Sequence, residues 1–285
     1  MRYKGVIIIA VLLSLGGLLF GRVLHAPTEQ ELGAFLESIE SKLPKQQNYA
    51  TPLERTNAAL GATPESRLTA TGVLELTNKE RAAQGLQPLK ENSKLRKAAA
   101  AKLADMLKQQ YFEHVSPDGK APADVVSAAG YEYVIVGENL AEGDFANNAD
   151  LVTGWMNSKG HRENILHPKY TEIGIAVEKG LYKNRMVWMA VQEFGKPLSD
   201  CPSPDESLRS QISTNESQIR IAQAELENLT AHMAELKAAG DSEGYNALVS
   251  EYNSQAARIN AKIGETKGFI NLYNAGVKQF NACVE

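Results

Sequence analysis

The chain has 285 residues, 43% of them hydrophobic and 22% charged, with a formal net charge of −4. That is enough apolar material for one well-buried domain with additions, and it excludes a chain disordered throughout. No basic block stands behind the charge, so neither a nucleic-acid partner nor a polybasic lipid patch is expected.

The N-terminus opens with Arg2 and Lys4 ahead of an uncharged apolar run from Gly5 to Gly21, closed by Arg22. At about 1.5 Å per residue the run spans roughly 26 Å, and continuing it to Leu24 brings it close to the thickness of the hydrocarbon layer. Residues 1–24 are therefore read as a transmembrane signal anchor, with residues 5–24 in the membrane. Leu24 and Ala26 ahead of Pro27 make a poor cleavage site, so the anchor is expected to be retained. The charges before the run put the N-terminus in the cytoplasm and the bulk of the chain outside, at the cell surface or in the periplasm.

Residues 25–66 read as a polar linker with one weakly amphipathic piece, TEQELGAFLESIESKL, and no chemistry is expected there. Composition changes at 67. SRLTATGVLELTNKERAAQGL has helical apolar spacing and ends at Gly85, and an alanine-rich helix follows whose Leu95, Ala98, Ala99, Leu103 and Met106 share one face. APADVVSAAG and NNADLVTGWMNS give two more short helices. The strands come late: Glu172–Glu178 and Arg185–Phe194 flank the turn KGLYKN as a hairpin. Ile173, Ile175 and Val177 face one way, and the small Gly174 and Ala176 the other, so helices can cover both faces. The expected class is α+β, a three-layer α-β-α sandwich over residues 67–198.

Three irregular segments carry candidate chemistry. His114 lies in YFEHVSPDG, Glu138 in VGENLAEG at the end of an apolar strand, and His161 in GHRENIL, which reads as a turn presenting an imidazole rather than as a buried helix. Two imidazoles and a carboxylate are the parts of a divalent-metal site or of an acid/base pair. Their spacing is no ligand signature, and each histidine has an equally available structural role.

Taken in order, Leu76-Asn78-Arg81 before Gly85-Leu86-Gln87-Pro88-Leu89, then FEHVSPDG, GYEYVIVGENLA, WMNSKGHRENIL, YTEIGIAV and the closing QEFG, the chain resembles the CAP superfamily of cysteine-rich secretory proteins, antigen 5 and pathogenesis-related 1, in its bacterial form. The resemblance runs from Leu68 to Pro197 and implies the same α-β-α sandwich. It also implies a cleft that gathers two histidines and two acids, with zinc bound in some members. His114, Glu138 and His161 match three of the four. Ser158 stands where the second acid is usual, three positions after Trp155, so a Zn2+ ion held by His114 and His161 would be bound weakly. Ser116 or Ser158 beside a histidine, or a metal-assisted mechanism using His114, Glu138 and His161, would make a hydrolase, but Ser116 already suits a Ser-Pro-Asp-Gly turn and no HExxH helix is present. The balance leans away from catalysis. Asn139 is expected to satisfy loop backbone, Asn164 to cap or bridge the loop after His161, Trp155 and Trp188 to build core or cleft wall, and His25, His167 and His232 to be solvated.

Beyond Pro197, residues 199–285 carry two heptad registers, Leu208 to Leu236 and Tyr245 to Phe280, separated by AAGDSEG, which predicts an antiparallel coiled-coil hairpin. Cys201 and Cys283 are equally far from Ser242, so the hairpin brings them together and a disulfide is expected. Three functions follow. The first is a membrane-held binding or scaffold module for a lipid, peptide or envelope ligand, the second a hydrolase, and the third an adhesion or assembly factor acting on a partner or a second copy through residues 203–283.

Overall fold

The computed structural model describes residues 46–55 and 67–285. The anchor over residues 5–24 lies outside the described residues, and among the described ones no helix is long and apolar enough to cross a membrane. They divide into two compact units, one ending at Cys201 and the other beginning at Pro202.

In the first unit, β1 (Gln46–Tyr49), β2 (Leu53–Arg55), α1 (Ala70–Ala83), β3 (Lys90–Glu91), α2 (Ser93–Gln109), α3 (Pro122–Ala128), β4 (Tyr133–Gly143), α4 (Asn148–Asn157), α5 (Lys159–Ile165), β5 (Glu172–Tyr182) and β6 (Arg185–Pro197) follow one another. The sheet runs β1-β4-β6-β5-β3, with β2 also on β4. One face is covered by Val73 of α1, Leu151, Val152 and Trp155 of α4 and Ile165 of α5. The other is covered by Ala99, Leu103 and Met106 of α2, with Ala123 and Val126 of α3 beside them. This is the three-layer sandwich, and strand alternation supplies it: Ile173 and Ile175 belong to the first core while Ala176 packs against the second.

Local chemistry sets the helix ends. Thr69 and Asn92 accept hydrogen bonds from the backbone N–H groups of Gly72 and of Lys94 and Leu95, capping α1 and α2. The hairpin turn is shorter than KGLYKN. Tyr182 pairs with Arg185, and only Lys183 and Asn184, with φ of 45° and 66°, make the turn. A two-residue turn with both residues at positive φ matches the twist of the strands, so Lys179–Tyr182 stay paired.

The linker expectation is overturned at residues 46–55. β1 pairs in parallel with Ile135–Glu138 and β2 with Ala141–Gly143, so this stretch completes the sheet beside β4. Its polar side chains concealed it, because only Ala50 among them is buried.

In the second unit, α6 (Glu206–Ala238) and α7 (Ser242–Val284) pack on each other across a turn in which Gly240 has φ of 76°. Ile212, Met233, Ile259, Thr266 and Tyr273, all at a or d positions, are buried, and so is Asn215 at the d position between Ile212 and Ile219. Cys201 and Cys283 are disulfide-bonded and are the only two cysteines. Closing a loop of this length is worth about 4 kcal/mol in the chain-entropy account. Reduction should therefore lower the urea midpoint of the helical far-UV signal. An unchanged midpoint would show that loop closure contributes nothing here.

Candidate functional site

His114 is placed by a buried lysine. α2 ends at Gln110, which adopts φ of 57° and turns the chain back. Lys102, 2% exposed, then reaches from α2 into that loop and donates to the carbonyls of Glu113 and His114, each at 2.7 Å, and to the Tyr111 hydroxyl at 3.1 Å. Burial pushes the Lys102 ammonium below its usual pKa, and the carboxylates of Glu138 and Glu193 oppose that shift. The imidazole so held has its Nδ1 2.5 Å from Glu138 Oε1. Its Nε2 meets the carbonyl oxygen of Ala50, and its ring stacks on Tyr49 with centroids 5.4 Å apart.

Glu138 lies in the middle of β4, not at its end, and is fully buried. Its register partner on β6 is Glu193, also fully buried. Among the described residues, no N–H or hydroxyl donor reaches either Glu193 oxygen. Burial first, and the Glu138 charge second, raise the Glu193 pKa well above the usual carboxylate range. Two acids facing each other in a dry place resist double ionisation, and the Lys102 ammonium partly offsets that resistance. Sequence reasoning missed Glu193 and Lys102. The available signal was a charged residue inside an otherwise apolar strand, and a lysine on the apolar face of an alanine-rich helix.

His161 is not in a turn. GHRENI forms α5, and His161 is 1% exposed. Ser158, the residue before α5, sets its Oγ 2.8 Å from His161 Nδ1. Burial, with the His114 charge adding to it, lowers the imidazole pKa to about 4, so it is neutral at pH 7. Around it runs a buried amide network: Asn139 donates to the His161 carbonyl and to Gln192, Asn164 donates to Asn139 and to the Glu138 carbonyl, and Gln192 donates to Thr77. Asn139 and Gln192 are paired in register next to the Glu138–Glu193 pair, so they point to the opposite face of the sheet. Arg81, 1% exposed, secures the following loop by donating to the carbonyls of Gln87, Ile165, His167 and Tyr170.

The four expected residues therefore form two pairs, His114 with Glu138 and Ser158 with His161. Tyr49 and Ala50 come between them: the Ala50 carbonyl is on His114, and a β-carbon on Gly160 of α5 would lie 3.1 Å from the Ala50 β-carbon. For the zinc expectation, no three His, Cys, Asp or Glu side chains among the described residues are grouped so as to hold an ion. Ser116 is spent on the turn, accepting from Lys120 N–H at 3.1 Å. Trp155 is core, donating to the Leu140 carbonyl. His167 is half-buried against Tyr170 rather than solvated. His25 lies outside the described residues, and an open groove of about 640 Å³ runs between β1 and the loop at His167 and Pro168.

The model of the cysteine-rich secretory protein family, CAP, matches residues 74–194. Residues 74–194 thus form a CAP-family domain. The uncharacterized protein YkwD of Bacillus subtilis is 43% identical over 128 residues, which is 45% of this chain and 49% of the relative. The uncharacterized membrane protein YlbC of the same organism is 30% identical over 115 residues, 40% of this chain and 33% of the relative. The chain thus spans about half the length of the first relative and a third of the second. Among solved structures, an extracellular SCP-domain protein from Bacillus anthracis aligns with a TM-score of 0.39 at 27% identity, over 45% of this chain and 40% of the other. A cysteine-rich secretory protein from Staphylococcus aureus aligns with a TM-score of 0.37 at 24% identity, over 50% and 41%. The CAP match begins after β1 and β2, so the strands beside β4 precede the family domain in this chain.

Proposed function

We propose that this CAP protein is a binding module held at the outer face of a membrane by residues 5–24, with its N-terminus in the cytoplasm and the chain after the anchor outside. The anchor rests on the apolar run, and a relative named as a membrane protein supports it. The hairpin over residues 203–283 is its arm toward a protein partner, on the polar outer positions its sequence carries.

One observation favours binding over hydrolysis. His114, the imidazole that a hydrolytic step would need free, has one ring nitrogen on Glu138 and the other on the Ala50 carbonyl of its own chain. Neither of the two serines near a histidine in the sequence makes a nucleophilic pair of the kind hydrolysis needs. Ser116 serves a turn, and the imidazole beside Ser158, with its pKa near 4, is a weak base at neutral pH. The full chain should therefore show no His114-dependent turnover of casein, peptidoglycan or simple esters. Turnover lost in His114→Ala would overturn the reading.

A further inference from the structure

We infer that the edge of β4, between the His114 loop and α5, is a binding site for an extended peptide, and that residues 46–55 are its occupant in cis, displaceable by a second peptide of the same kind. The inference rests on the binding reading above and names the ligand class.

The track is built for a passing main chain. A β-carbon on Gly143 would lie 2.3 Å from the Arg55 carbonyl oxygen, and one on Gly137 2.8 Å from that of Asn48, with the Tyr170 hydroxyl nearer still at 2.1 Å; Gly154 and Gly160 leave room for the side chains of Leu53 and Ala50, each 3.1 Å from where a β-carbon would sit. The domain also turns polar groups onto the segment's backbone. Glu138 O accepts from Ala50 N–H at 3.5 Å, Asn164 donates to Asn48 O at 3.4 Å, and His114 holds Ala50 O. Asp150 receives Arg55 at 2.5 Å near the far end. Main-chain pairing of this kind supplies affinity that tolerates many sequences, and side-chain pockets supply selection.

Only one position is selected strongly. Ala50 is buried at 5% exposure over Gly160, while Gln46, Gln47, Thr51 and Glu54 are exposed and the others half-buried. The site thus reads a small residue at the Ala50 position, preceded by an aromatic ring stacked on His114 and followed three positions on by a leucine over Gly154. An occupant that buries a single side chain in ten residues is held mainly by main-chain pairing, and a peptide that replaces it would set its own carbonyl on His114 in the same way. Ala50 also lines the open groove, so the strand alone separates that groove from His114.

The test is fluorescence anisotropy of a labelled peptide, QQNYATPLER, added to the full chain. A tethered strand acts at an effective concentration on the order of millimolar, so the wild-type chain should bind the free peptide poorly. Ala50→Leu cannot seat its own strand over Gly160, and its affinity for the free peptide should rise at least tenfold, while a peptide carrying leucine at the alanine position should bind neither chain. Equal affinities for the two chains, or for the two peptides, would overturn the site. Hydrogen exchange on the unmodified chain guards against a misfolded variant: residues 46–55 should exchange at least tenfold faster than residues 185–197, and equal protection would mean that the strand never leaves. Histidine-dependent turnover would sink the binding reading and leave this site standing. Failed exchange would sink the site and leave that reading.

Discussion

Gly174→Ala should be the most destabilising single-carbon change in the CAP unit, lowering its stability by about 3 kcal/mol or more. A β-carbon there would lie 2.0 Å from the carbonyl carbon of Leu95 and 2.1 Å from the amide nitrogen of Arg96. Those are backbone atoms near the start of α2, so no side-chain rotation relieves the clash and the helix must lift off β5. Leu95, Ala98, Ala99 and Met106 are all fully buried on that helix, and each loses contact as it moves. A domain's whole stability is about 5–15 kcal/mol, so the loss is a large share of it. Both tryptophans, Trp155 and Trp188, belong to this unit, so urea unfolding followed by their fluorescence reports it alone. Gly264→Ala is the control. That glycine lies inside α7 with nothing within 4 Å of the added carbon, and the change should stabilise the hairpin by up to about 1 kcal/mol. A midpoint for Gly174→Ala close to wild type would mean that α2 does not rest on β5 at this glycine.

The same contact shows what the sequence makes legible. Alternation of Ile173, Gly174, Ile175 and Ala176 says that both faces of β5 are covered, and the helical face Leu95-Ala98-Ala99-Leu103-Met106 says by what, because apolar period is written directly in residue order. The heptads of α6 and α7 are legible for the same reason. Three features are not. Residues 46–55 pair through backbone, which leaves no apolar pattern when a single side chain is buried. The segment at His161 is helical although Gly160 and a polar run argue against it. Ser158 reaches the imidazole Nδ1, and Asn139, held by Asn164, reaches the His161 carbonyl, only once the chain has folded. Glu193 joins the site through its register with Glu138 across more than fifty residues, and no local motif encodes a strand pairing.

The buried imidazole should cost the CAP unit stability as pH falls from 6.5 toward 4, and His161→Gln should remove that contribution. The folded-state pKa of His161 is about 4, against an ordinary 6.5. Between those values the unfolded chain binds a proton that the folded chain refuses, so stability is full above pH 6.5 and is lost as pH falls through the window toward 4. A displacement of this size is worth about 3 kcal/mol. Glu193 works in the opposite direction: its carboxyl is raised, so its contribution is present below pH 4.5 and is lost as pH rises above it. The wild-type slope is therefore the difference of the two. In His161→Gln the acid loss should vanish and stability should drift downward as pH rises, whereas Glu193→Gln should gain more stability between pH 4.5 and 7 than wild type does. Slopes decide the matter, because either substitution also carries a pH-independent cost, such as the lost contact to Ser158. Urea midpoints of tryptophan fluorescence at pH 4.5 and 7 give all three. If His161→Gln keeps the wild-type slope, some other group takes up the proton and the neutral imidazole is not what ties this unit's stability to pH.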